Sequence, residues 1–273
     1  MIPQFVHLRM HSEYSVTDST VRLDSAITKV KEQGVGALGL TDLNNIFGGL
    51  IFYTHARKAG VKAIMGCDLI IENESDREKP YRMAVLCQNH DGYKNLCEIQ
   101  THAWLKNQYM GRGETKLQWL FDHNEGLIIL SGGPEGEIAQ LCLAGKKAEA
   151  LALAKKMKAT FGDRFYLELQ RAGRASDEAV VRYHLSIAAE CDIPVVATHP
   201  IQFLEPEDFD AHDIRVCIAR GEVLADKGRA KLYSPEQYFK SPEEMISLFA
   251  DVPSAIANTV EIAKRCNLEG VLS

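Results

Sequence analysis

The chain has 273 residues, 46% of them hydrophobic and 25% charged, which excludes a disordered chain and supplies enough apolar surface for one large core or two modest ones. A formal net charge of −6, from 37 acidic and 31 basic residues, implies no strongly basic face, though it leaves room for a local basic patch, so tight autonomous binding to a nucleic-acid backbone is not the default reading. The seven cysteines form no CxxC pair, and no apolar run reaches membrane-spanning length or resembles a signal peptide, so free, mostly buried thiols in a reducing cytoplasm are expected, with no membrane partner.

Along the chain, short apolar runs alternate with amphipathic stretches. Phe5-Val6-His7-Leu8 reads as a first strand. Residues 21–33 follow as a helix, with Leu23, Ile27 and Val30 on one face and Gly34 as its stop. Ala37–Leu40 is a second strand, residues 47–59 a helix ending at Gly60, Val61–Ile70 a third strand and Met83–Cys87 a fourth. A helix is predicted over 91–107, a strand over Leu127–Leu130, and helices over 135–144 and 146–160 with a break at Gly145. Phe165–Leu169 and Pro194–Thr198 read as strands around a helix at 177–190. From about 207 onward the pattern is mostly helical, with turn signals at Ser234-Pro235 and Ser241-Pro242.

Strand then helix, repeated about six times, argues for parallel strands joined by right-handed crossovers. The strands are nearly all apolar, as both-face burial requires. A doubly wound sheet and a closed barrel both fit this pattern. No Pro-, Gly- or Ser-rich linker divides the chain, so one domain over 1–273 is expected, with a core over about 1–205 and a mostly helical part over about 206–273.

In parallel α/β folds the chemistry gathers at the C-terminal ends of strands. Polar segments lie at such ends here: Arg9 to Ser12 with Asp18, Thr41 to Asn44, Gly66 to Asp68, Ser131 to Gly133, Glu168 to Arg171, and Thr198 to Pro200. Polar loops follow strands in every such fold, so position alone does not establish a working site. The residue types argue against one. The nine histidines form no HxH or HExxH, and most, including His55, His90, His102, His123, His184 and His212, read as surface residues. No phosphate-binding glycine loop or serine nucleophile motif is present, and Cys67 has no adjacent base.

At these loops the chain resembles the PHP (polymerase and histidinol phosphatase) domains. Phe5 to Ser15, Ala37 to Asn45 and Gly60 to Gly66 are similar to the first three motifs of that family. Asp91 to Leu96, Glu125 to Gly132, Tyr166 to Arg171, Val195 to Thr198, Tyr233 to Glu236 and Ala257 to Arg265 are similar to its replicative-polymerase branch. The resemblance implies a distorted (β/α)7 barrel at the N-terminus of a longer bacterial replicative polymerase chain.

In metal-binding relatives, nine side chains hold three metal ions and hydrolyse phosphoesters. Matched to that set, the chain has Arg9 and His11 for the paired histidines, Asp18 for an aspartate, Leu43 for a histidine and Asp68 for a glutamate. It has Arg82 for the next histidine, Gly133 for a cysteine, and Pro200 and Gln202 for the final Asp-x-His. Arg9, Leu43, Arg82, Gly133, Pro200 and Gln202 have lost the ligand type, so the resemblance implies a degenerate site with no metal and no catalytic residue. A charge network of Arg9, Asp18, Asp42, Asp68 and Arg82 is expected in its place.

The function implied is a structural and subunit-interaction module in DNA replication. Its implied partners are the other domains of the polymerase subunit, the proofreading exonuclease subunit, and DNA through the parent polymerase. No cofactor is expected in this domain, the magnesium belonging to a polymerase active site outside it. The alternative is an active metal-dependent phosphoesterase or 3′–5′ exonuclease.

Overall fold

The computed structural model describes residues 4–270. Helix α1 (Leu23–Glu32) precedes strand β1 (Ala37–Leu40), helix α2 (Gly49–Ala59), strand β2 (Lys62–Ile71) and strand β3 (Tyr81–Cys87). Helix α3 (His90–Lys106) leads to a small hairpin, β4 (Gln108–Tyr109) and β5 (Arg112–Gly113), and then to α4 (Leu117–Asp122). Next come β6 (Leu127–Leu130), α5 (Glu137–Leu143), α6 (Lys147–Phe161), β7 (Phe165–Leu169), α7 (Asp177–Cys191) and β8 (Val195–Ala197). The chain closes with α8 (Phe209–Arg220), α9 (Pro242–Leu248) and α10 (Pro253–Arg265).

The main sheet has the order β1-β2-β3-β6-β7-β8, and the segment before α1 closes it into a ring. On one side, the Gly39 N–H donates to the His7 carbonyl at 2.8 Å; on the other, the His11 N–H donates to the Ile201 carbonyl at 3.1 Å beside a Met10–Ile201 bridge. The result is an α/β barrel of seven staves, a distorted (β/α)7 barrel, with the first stave irregular. The strand expected at Phe5–Leu8 is therefore extended backbone without a full ladder. Gly39 explains the close packing there: a Cβ at that position would lie 2.3 Å from the Leu8 carbonyl oxygen.

Two features depart from the strand–helix–strand reading. β3 is antiparallel to both β2 and β6. Residues 72–80 join β2 to β3 directly, and that is too short for a crossover helix. The β4–β5 hairpin and α4 carry too short an apolar pattern to be read from periodicity. Past α8, residues 221–241 hold no helix, and Ser241-Pro242 is a helix start rather than a turn. Ser241 caps α9 in a reciprocal box with Glu244, and Pro242 occupies the first turn.

Strand alternation divides the interior. Val85, Cys87, Leu127 and Ile129 face outward into a core shared with the helices. Ile64, Ala84, Leu86, Ile128, Leu130, Tyr166 and Val196 face inward with Val6 and Leu8, and Val260 and Ile262 of α10, with Cys266 just past it, pack against that inner cluster. Among the described residues all seven cysteines are free, and five of them are buried. No helix of the described residues is long and apolar enough to cross a membrane.

Candidate functional site

Stepping by two residues along the inward face leads from apolar core to charged mouth. On β2 the series is Ile64, Gly66, Asp68; along β7 and just past it, Tyr166, Glu168, Gln170; from β8 onward, Val196, Thr198. On β3 the series runs backward, Leu86, Ala84, Arg82, because that strand is antiparallel. Arg82 thus reaches the same end from the start of its strand, not from its C-terminal end. Leu8 packs into the inner cluster while Arg9 reaches the mouth, a break in alternation that unladdered backbone permits.

Asp68 is the hub. Its Oδ2 lies 2.6 Å from Arg9 Nη2, 2.8 Å from His11 Nε2 and 3.1 Å from Arg82 Nη1. Arg9 Nη1 also donates to Glu168 at 3.1 and 3.3 Å. Glu168 accepts further bonds from the Thr198 hydroxyl at 2.8 Å and the Gly132 N–H at 2.5 Å. The other nitrogen of His11, Nδ1, lies 3.1 Å from Asp18 Oδ1, and the Tyr233 hydroxyl donates to Asp18 Oδ2 at 3.2 Å. Arg9, His11, Asp18, Asp68 and Glu168 are buried, whereas the Arg82 side chain is 26% exposed.

These contacts set the protonation states. Burial resists charge on Asp68, but the adjacent Arg9 and Arg82 guanidiniums and His11 hold its carboxyl well below the usual range. Burial likewise opposes charge on His11, yet Asp18 and Asp68 outweigh it and push the imidazole up to about 10. Asp18 is lowered because His11 overcomes its desolvation. Arg9 remains a fixed cation despite burial, held by Asp68 and Glu168.

Asp42 does not join this network. It accepts bonds from the Ser12 N–H at 2.6 Å, the Ser12 hydroxyl at 2.8 Å and the Ser15 hydroxyl at 2.7 Å, and no arginine reaches it among the described residues. Its strand parity is the reason: Asp42 follows Leu40, which packs outward against α1 and α2. Burial raises its carboxyl, the serine bonds only partly offsetting that effect. Asp18 also lacks a direct arginine partner; it is tied to the arginines through His11 and Asp68.

A cavity of about 220 Å³ opens at the mouth. Arg9, His11, Asp68, Arg82, Pro200 and Gln202 line it, together with Glu135, Arg174 and Tyr233. Asp18 sits behind His11. Gly133 is adjacent, with φ +59, and a Cβ there would lie 2.8 Å from the Gln170 side chain. Leu43 bridges Asp68 through its backbone and donates its N–H to the Ser15 hydroxyl at 2.8 Å, outside the cavity lining.

Glu168 is the site residue that sequence reasoning passed over as one polar residue among several. The signal was its place within Phe165-Tyr166-Leu167-Glu168-Leu169, since a carboxylate in a strand buried on both faces needs a partner. Tyr233 and Arg174 had no such signal, coming from an irregular segment and a loop. Four histidines expected to be surface groups or unassigned are buried. His7 and His199 bond the Lys240 and Glu236 carbonyls at 2.7 and 2.8 Å, while His184 and His212 bond the Glu168 and Asp18 carbonyls at 2.7 and 2.8 Å. Each spends one ring nitrogen on a backbone carbonyl, and burial drives His7 and His184 down to about 4.

The model of the PHP domain family matches residues 7–172. The chain is 44% identical over 269 residues to DNA polymerase III subunit alpha of Pseudomonas fluorescens, covering 98% of this chain and 23% of the relative. It is 45% identical to the same subunit from Neisseria meningitidis serogroup A, with 97% and 24% covered. For the Escherichia coli K12 subunit the identity is 40%, with 97% and 23% covered. The chain thus spans about a quarter of the length of these relatives. Among solved structures, an amidohydrolase from Chromobacterium violaceum superposes with a TM-score of 0.52 at 10% identity, over 77% of this chain and 96% of that one, a likeness of fold alone.

Proposed function

The chain belongs to the PHP domain family, and from that premise we propose that it serves as the N-terminal PHP domain of a replicative DNA polymerase III alpha subunit, with a degenerate metal site. In this reading it is one domain over 1–273 and acts as a structural and subunit-interaction module. It packs against the other domains of the alpha subunit and helps hold the proofreading exonuclease (epsilon) subunit. DNA is engaged through the parent polymerase, whose active site, with its magnesium, lies outside this domain. A bacterial cytoplasm is the matching compartment.

One observation carries the reading: the carboxylates at the barrel mouth are already paired with fixed cations. Arg9, always protonated, stands 2.6 Å from Asp68 where the family match has a histidine ligand. A divalent ion there meets two guanidiniums and a charged imidazole, and the side chains of Leu43 and Pro200, like the bare Gly133, offer it no donor atom. The residues do not fit a three-metal cluster. The phosphoesterase or exonuclease alternative requires one, because the metals generate hydroxide and stabilise the leaving oxygen.

The test is hydrolysis of single-stranded DNA and of small phosphoesters with zinc or manganese present, alongside elemental analysis. No turnover and fewer than two ions per chain are expected. Turnover that co-purifies with the chain and disappears in Asp18→Asn would overturn the reading. Capture of the purified epsilon subunit, measured in parallel, tests the interaction role separately.

A further inference from the structure

A second convergence of ligand-type side chains lies away from the barrel mouth, between α3 and the end of α4. Glu98 and His102 are one turn apart on α3, and His123 is the residue that ends α4. Their ligand atoms all lie within 4.8 Å of one another. His102 Nε2 is 3.9 Å from Glu98 Oε1, and His123 Nδ1 is 3.7 Å from Glu98 Oε2. Both separations are too long for hydrogen bonds, so the carboxylate is approached by two imidazoles and bonded by neither.

The rings are nevertheless held in place. The His102 ring packs edge-on against Trp119 at 5.5 Å and against His123 at 5.9 Å. Its Nδ1 is buried without a hydrogen-bond partner among the described residues. The buried histidines His7, His184, His199 and His212 each bond a backbone carbonyl; neither His102 nor His123 has such a bond through its ring among the described residues. A gap bounded by two imidazoles and a carboxylate is what a borderline divalent cation fills. Ligands at about 2.0–2.2 Å from zinc stand roughly 3.3–3.5 Å apart in a tetrahedron, so side-chain rotations of under about 1.5 Å close the set.

We propose that Glu98, His102 and His123 form a surface site for a divalent transition metal of the zinc class, with water as fourth ligand, clipping α3 to the end of α4. The local consequence is mechanical. The Trp104 indole N–H of α3 donates to the Asn44 carbonyl at 3.4 Å, Asn44 Nδ2 donates to the Gly113 carbonyl of β5 at 2.7 Å, and the β4–β5 hairpin follows directly from α3. An ion that fixes α3 against α4 therefore braces both flanks of the hairpin.

The experiment is titration of the whole chain with zinc sulfate, read by calorimetry and by competition with a chromophoric chelator. One ion per chain at micromolar affinity is expected, with a rise in Tm of about 2–4 °C at saturation. His123→Gln alters a half-buried residue at the end of α4, and circular dichroism checks that the variant keeps its fold. It and His102→Gln are each expected to weaken zinc by about tenfold or more. His90→Gln, at the far end of α3, is expected to change nothing. Unaltered affinity in both His123→Gln and His102→Gln would overturn the site. So would the absence of binding at 100-fold above micromolar, or zinc that is lost in His11→Gln and kept in His123→Gln, which would put the ion in the barrel mouth.

Discussion

Asp42 and Asp68 are two buried carboxylates in neighbouring staves of one barrel end, and they sit in opposite environments. Asp68 is approached by Arg9, Arg82 and His11, which hold it ionised. Asp42 is approached by serine hydroxyls and one backbone N–H, and burial raises its carboxyl. Burial is common to both, so it does not decide their charge. What decides it is whether the donors aimed at the carboxylate carry a formal charge. The Asp68 group is a network in which each ion answers for another; the Asp42 group is a local brace that ties the 12–18 turn to β1.

The most severe break in that contrast is removal of Arg9. Glu168 then loses its only cation among the described residues, and Asp68 loses its nearest. Arg9→Ala is expected to cost about 3–5 kcal/mol in denaturant unfolding, the range for stripping one partner from a buried pair. The partner for a double-mutant cycle is Asp68, not Asp18, because Asp18 is bonded to His11. Arg9→Ala with Asp68→Asn should lose less than the sum of the single variants; strict additivity would show that the two charges are not coupled.

Next in size is the ranking of the carboxylates themselves. Asp68→Asn leaves two guanidiniums and an imidazolium facing each other, and a loss of about 3 kcal/mol or more is expected. Asp42→Asn keeps an acceptor oxygen for Ser12 and Ser15, and a loss of about 1 kcal/mol is expected. Equal losses would erase the distinction drawn between the two environments.

A pH series sharpens it further. His11 is raised from 6.5 to about 10 in the folded chain. Its contribution is fully present below the unfolded value near 6.5 and is lost as pH rises toward about 10. The stability gap between the native chain and His11→Gln should therefore narrow from pH 6 to pH 10. Asp42 has the opposite sense for a carboxylate: its raised folded value makes ionisation disfavour the fold as pH climbs through that value. A gap that stays constant or widens with pH would show that His11 is not held as a cation. The smallest effect is expected from Arg9→His. It restores one ligand type while Leu43, Gly133, Pro200 and Gln202 remain, so phosphoester hydrolysis should stay at background; measurable turnover would mean that one histidine suffices.

The sequence by itself determined most of the barrel. Apolar runs bounded by Gly34, Gly60 and Gly145 located six strands and the major helices, since burial on both faces and left-handed glycine ends leave local marks. It also brought Arg9, Asp68 and Arg82 onto one list, through resemblance to a family whose ligand positions they occupy. Strand direction was decided only by the tertiary structure. Met83–Cys87 reads the same either way along its length, and reversing it sends Arg82 to the mouth from the opposite strand end. Pairing, too, is a tertiary outcome: Glu168 is 159 residues from Arg9 and Tyr233 is 215 from Asp18. Asp42 and Asp68 each follow an apolar strand run and look alike in one dimension. A single residue of register separates an inward from an outward face, and only the closed barrel fixes which side chain meets a guanidinium and which meets a serine.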